Sequence, residues 1–337
     1  MLSASAPTVQ ERFPLGMPWP TVDPFLFCVH HRDHYPAANG AFGPSDDLTG
    51  RQLGSDFSYK DGWSMYHGNP IPGFPQHPHR GFETITYARR GLIDHADSLG
   101  ATARFGRGDV QWMTAGSGIV HSEMFPLLET DADNPLELFQ IWLNLPAASK
   151  FVDPYFTMLW DRDIPRHTEP GVAWTVIAGR VHGLDPASPP PDSWAAEADH
   201  DVAIWHGVID ADATWRLPAA QPGTNRAIYV FDGAAVDVDG ERVDRGYGAL
   251  IRSDRATEVQ AVGATSECLV LQGRPIAEPV AQHGPFVMNT RAEIMQAFED
   301  YQRTQFGGWP WPDDGPVHGE SPERFAVHPD GRTERST

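Results

Sequence analysis

The chain has 337 residues, with 45 acidic against 25 basic side chains and a formal net charge of -20 at pH 7. That length exceeds what one small core organises and suits two domains. A surface this acidic repels phosphate backbones, which excludes direct nucleic-acid binding in the absence of a local basic patch.

The N-terminal stretch Met1 to Pro20 has no basic start followed by an apolar run, so it does not read as a signal peptide. No stretch approaches the ~20 apolar residues that a membrane-spanning helix needs, and a cytoplasmic protein without a membrane partner is expected. Cys28 and Cys268 lie far apart without C-x-x-C spacing, so neither a disulfide framework nor a structural zinc site is indicated. Along the first half, Thr84–Tyr87, Val110–Met113 and Leu136–Leu143 alternate with period two and read as strands. Turn signals separate them at Arg90-Gly91, Leu99-Gly100, Arg107–Asp109 and Gly116–Gly118, and the pair Arg89 and Arg90 reads as a solvated strand end. Strands at this short spacing, with 31 Pro and 32 Gly scattered among them, imply a sandwich or barrel rather than a helical bundle or βαβ units.

A second set of strands begins near Trp174, at Ala173–Ala178, Val202–Ile209, Arg226–Phe231 and Leu269–Gln272. Val236–Val243 reads as a hairpin, because Asp239-Gly240 supplies the positive φ of a tight turn. Asp185–Asp199 is Pro-rich and expected to be an exposed insertion. Helix is scarce; the clear case is 290–303, where Thr290 and Glu293 form a capping box. The expected organisation is therefore two β-rich domains, over 1–145 and 146–312, followed by a loosely held tail over 313–337.

The chemistry concentrates in His77-Pro78-His79 and His121-Ser122-Glu123. Residues two apart in a strand share a face, so each pair can present both side chains to one side. Were the two strands to face each other in a barrel, three neutral nitrogens and a carboxylate oxygen would converge. Such a set suits Fe(II), with Mn, Ni, Cu or Zn as alternatives. A lone H-x-H is more simply a pair of surface or core histidines; the H-x-E some forty residues on makes the metal reading the better one. His95 lines the cavity mouth or belongs to a turn-forming polar cluster. Phe27, Phe82 and Met124 are a pocket wall or ordinary core, Gln111, Trp112 and Met113 are strand packing, and His200 and His206 are structural or exposed.

The stretches HPHRGFETITY (His77–Tyr87) and GDVQWMTAGSGIVHSEM (Gly108–Met124), with Asp23–Leu26 and GPFVMNTRAEIMQAFEDY (Gly284–Tyr301), resemble the signature of the pirin family, a branch of the cupin superfamily. The resemblance spans nearly the whole chain. It implies an all-β fold of two tandem jelly-roll cupin barrels with a short C-terminal helix, and a metal in the first barrel only. The implied ligands are His77, His79, His121 and Glu123. The wider cupin pattern would use the glutamate after H-x-H, here Glu83, which is kept as the minority alternative. Glu123, or Glu83 beside it, is the implied proton acceptor. The insertion at 185–199 and the tail after Asp313 go beyond the family pattern. Bacterial pirins are similar to quercetin 2,3-dioxygenases, which open a flavonol ring with O₂ and release carbon monoxide, so a small flavonol-like aromatic is the implied substrate. The alternative is a non-enzymatic, iron-dependent redox sensor that binds a transcription factor or metabolic enzyme as its protein partner.

Overall fold

The computed structural model describes residues 7–336. The described residues are all-β apart from one α-helix and short 3-10 turns, and the chain forms two compact units. One unit takes His30–Arg162 with Glu278–Thr337; the other takes Met1–Val29 with Asp163–Ala277. The consecutive division into 1–145 and 146–312 is thus interleaved at both ends. The cause is strand pairing over more than 200 residues, which local periodicity does not record: Val9–Pro14 pairs with Tyr247–Ile251, and Arg324–Val327 pairs with Thr102–Gly106.

The His30–Arg162 unit holds two sheets. The first runs in the order Tyr155–Leu159, Asp109–Thr114, Phe82–Arg90, Asn134–Asn144, Phe25–Tyr35. The second runs Thr333–Ser336, Arg324–Val327, Thr102–Gly106, Leu92–Asp97, Ile119–Met124, Gly73–His79. Several of these strands are buried on both faces, including Leu92–Asp97, Asp109–Thr114 and Ile119–Met124. One buried charge there is paired from the neighbouring strand: Arg104 grips Asp94 with two bonds of 2.7 and 2.6 Å, both side chains fully buried. The segment 313–337, expected as a loose tail, instead carries the two outermost strands of the second sheet. Its polar composition hid this, because an edge hairpin buries little: only Ala326 of Arg324–Val327 is fully buried.

The helix Arg291–Thr304 begins as the sequence implies. Thr290 Oγ1 accepts from the Glu293 N–H at 3.2 Å and the Glu293 carboxylate accepts from the Thr290 N–H at 2.7 Å. Ile294 and Ala297 seat it on Phe286 and Met288. Among the described residues, no helix is long and apolar enough to cross a membrane.

The other unit pairs a seven-stranded sheet (Val9–Pro14, Tyr247–Ile251, Asn225–Asp232, Ser266–Gly273, Ala203–Ile209, Val172–Ala178, Arg166–Glu169) with a four-stranded one (Thr214–Leu217, Thr257–Ala261, Ala235–Val238, Glu241–Asp244). Trp174, Trp205 and Trp215 anchor its aliphatic core. Asp239 (φ 48°) and Gly240 (φ 88°) both take positive φ, the turn that matches the twist of its flanking strands. Cys28 and Cys268 are buried free thiols. In the 185–199 insertion, Trp194 stacks on His200 at 3.3 Å and donates to the Arg274 carbonyl, so its C-terminal end is tied down. His206 bonds Glu267 at 2.9 Å.

Candidate metal centre

The strands Gly73–His79 and Ile119–Met124 are direct antiparallel neighbours, with His77 opposite His121. The register shifts between Phe74 and His77, a bulge that re-aims the His77 side chain. Gly81 turns the chain after His79 at φ 85°, where a Cβ would lie 2.0 Å from the Val287 carbonyl oxygen, so only glycine fits. Among the described residues, His77, His79 and His121 come together, each offering a ligand atom within 4.8 Å of the others. Their ring centroids are 4.4 to 4.9 Å apart.

Hydrogen bonding sets the tautomers. His77 Nδ1 faces the Pro75 carbonyl at 2.8 Å and His79 Nδ1 faces the Pro285 carbonyl at 3.3 Å. A carbonyl only accepts, so the proton sits on Nδ1 in both rings and the Nε2 lone pair is left for a ligand. His121 is fully buried, and neither of its ring nitrogens has a hydrogen-bond partner among the described residues. Burial drives the imidazolium form out of all three: His77 is pulled down to about 4, and His79 and His121 well below the ordinary histidine range. Three neutral imidazoles with converging lone pairs, one of them otherwise unsatisfied, fit a divalent metal ion.

Glu123 occupies the next layer. Its strand partner is His95, and the structure does not bring it into the three-histidine group. Thr86 Oγ1 donates to Glu123 Oε1 at 2.9 Å, and Gln140 Nε2 donates to Oε2 at 2.8 Å. Thr86 also lies 2.5 Å from Gln140 Oε1, so its single proton serves two acceptors. Burial raises the Glu123 carboxyl above the ordinary range, opposed by His95 and by the two hydrogen bonds. Glu83 is elsewhere. Alternation along Phe82–Arg90 sends Thr84 and Thr86 to the Glu123 side and Glu83 to the opposite face, where it accepts from Thr114 Oγ1 at 2.7 Å. The same alternation turns Met124 away from the histidines. Phe82 packs edge-on against His79 at 5.1 Å, and Trp142 packs on both rings.

His95 sits on the Leu92–Asp97 strand rather than in a turn, bonded to Asp97 at 3.1 Å and stacked on Phe156. Asp97, Thr86 and Gln140 were not singled out as site residues by their spacing, and His95 was singled out only as a cavity-mouth or turn residue. They become legible only through the cross-strand pairs His95–Glu123, Asp97–His121 and Thr86–Gln140.

Two family models match, one described as pirin over residues 44–143 and one as the pirin C-terminal cupin domain over residues 204–307. A pirin-like protein from Caulobacter vibrioides is 39% identical over 238 residues, covering 70% of this chain and 81% of that protein. The chain belongs to the pirin family. Pirin from Homo sapiens is 32% identical over 247 residues, covering 72% of this chain and 80% of its own length. The crystal structure of a quercetin 2,3-dioxygenase from Acinetobacter baumannii aligns with a TM-score of 0.71 at 26% identity, covering 89% of this chain and 98% of that one. The pirin match over 44–143 contains the three-histidine group, Glu123 and the Thr86–Gln140 pair that holds it.

Proposed function

We propose that this pirin is a metal-dependent dioxygenase of quercetin 2,3-dioxygenase type, with iron as its metal and a flavonol-like aromatic as its substrate. The observation that carries the reading is the convergence of three neutral imidazoles, with the buried His121 ring unsatisfied by any described group. His77, His79 and His121 would hold the metal through nitrogen, and Glu123, which lies outside that group in the adjoining layer, would serve as the fourth ligand. A bound divalent metal supplies a Lewis acid, and iron adds a one-electron redox couple for chemistry with O₂.

The remaining work falls to the chain. Pro75 and Pro285 carbonyls fix the orientation of two imidazoles before anything binds. Phe82 and Trp142 offer flat apolar surface beside His79, suited to stacking an aromatic ring. Glu123 would accept the proton of a substrate hydroxyl, and Thr86 and Gln140, which donate to its Oε1 and Oε2, keep that carboxylate from swinging away. Glu83, on the opposite face, is left as a structural acceptor for Thr114. The likeness to the Acinetobacter baumannii quercetin 2,3-dioxygenase supports the choice of reaction.

The test is anaerobic loading of the purified chain with Fe(II), followed by quercetin and O₂. The reading expects O₂ uptake with carbon monoxide release, abolished in His121→Ala. Iron retained without turnover across a flavonol panel would replace it with the non-enzymatic sensor.

A further inference from the structure

The family matches end at residue 307, yet the chain continues as a strap across the sheet that carries the three histidines. Alternation fixes which face it covers. His121 and Glu123 point toward the site, so Met124 and its strand partner Asp94 point the other way. The strap lies on this outer side and touches three neighbouring strands in turn. On Leu92–Asp97, Trp311 Nε1 donates to the Asp97 carbonyl at 2.9 Å, and His318 reaches the His95 carbonyl at 2.9 Å and, through its N–H, Asp94 Oδ2 at 2.8 Å. On Ile119–Met124, Gly315 lies against Met124 so closely that a Cβ would stand 2.7 Å from its sulfur.

On Gly73–His79 the contact falls on the bulge. The Gln76 N–H donates to the Asp314 carbonyl at 2.7 Å, and Gln76 Nε2 donates to Asp314 Oδ1 at 2.6 Å. Gln76 stands between Pro75, whose carbonyl orients His77 Nδ1, and His77 itself. Gly73–His79 is the last strand of its sheet; an isolated bridge joins Tyr66 to Gly73, but among the described residues no further strand pairs with the bulge on its outer edge.

We infer that the C-terminal strap, through Asp314 and Gln76, is a positioning element for His77. It holds the bulge in the conformation that directs the His77 Nε2 lone pair toward His79 and His121. This rests on the metal reading above. The strap acts through Gln76 and Pro75 without reaching the metal, so its effect should fall below the ~10–100-fold that direct partners of metal ligands command.

The test uses the full chain, stripped of metal and titrated with Co(II), whose visible absorption reports ligand geometry. Asp314→Ala and Gln76→Leu are expected to weaken Co(II) binding about 3- to 10-fold and to change the shape of the absorption band. Asp314→Asn keeps an acceptor oxygen for the Gln76 amide and is expected to restore both readouts. Wild-type affinity and an unchanged band in Asp314→Ala and Gln76→Leu would overturn the inference, whatever happens to their melting temperatures, because a merely structural strap moves only the latter. A wild-type chain that takes up no Co(II) overturns the metal reading together with the inference, so the two failures are distinguishable.

Discussion

Replacing Thr86 by Val separates the carboxylate clamp from the rest of the site. The side chains are nearly isosteric, so the change removes a hydroxyl and leaves the packing almost intact. Thr86 Oγ1 faces Glu123 Oε1 at 2.9 Å and Gln140 Oε1 at 2.5 Å, with Thr86 and Glu123 both buried. Hydrogen bonds to charged groups contribute ~1.5–3 kcal/mol, and a buried acceptor left unmade costs ~1–3 kcal/mol. A net loss of about 2 kcal/mol follows, or about 4–8 °C in Tm for a unit of ~150–250 residues. Release of Glu123 should lower metal affinity by about 10- to 100-fold, which at ~1.4 kcal/mol per decade matches the lost hydrogen bond. Competition between the stripped protein and a chelating dye for Mn(II) measures that affinity, with Thr86→Ser as the variant that keeps the hydroxyl. Affinity within about twofold of wild type alongside a lowered Tm would refute the claim that the clamp serves the metal site.

Glu83→Gln should leave Mn(II) affinity within about twofold of wild type and cost the fold less than ~2 kcal/mol, because Glu83 faces Thr114 on the far side of its strand; dye competition and urea unfolding check the two halves. Asp33 gives a pH signature. Burial pushes its carboxyl up to about 7, against the hydrogen bonds from Tyr66 and the Ser64 N–H. Its folded value exceeds the ~3.9 of an unfolded aspartate, so the protonated form is the one the fold prefers. The stabilising contribution is complete below pH ~4 and is lost as pH rises through about 7. Urea unfolding between pH 5 and 8 should therefore show stability falling more steeply in wild type than in Asp33→Asn.

Much of the architecture was legible because it is written in local pattern. Alternation marked strands such as Ala203–Ile209, Asp239-Gly240 marked a hairpin, and Thr290 with Glu293 marked the helix start. The spacing of His77, His79 and His121 carried the three-histidine group for the same reason, since two-residue periodicity decides which side chains share a face. What local pattern does not hold is long-range pairing. The strap was read as a loose tail because its contacts with Gln76, Asp94 and Met124 cross more than 190 residues, and nothing in its own polar sequence announces them. Likewise Leu92–Asp97 lies buried on both faces, so it lacks the alternation that would have placed His95 beside Glu123. Arg89 was read as solvated, but it donates to the buried Glu137 at 2.6 Å; only Arg90 is exposed.

The most direct measurement is the metal content of the chain purified without added metal, compared with His77→Ala, His79→Ala and His121→Ala variants whose circular dichroism matches wild type. Three imidazoles sharing one ion predict one equivalent per chain in wild type and near none in each variant. Metal retained by all three variants, or absent from the wild type even after anaerobic incubation with Fe(II), would contradict the account at its root.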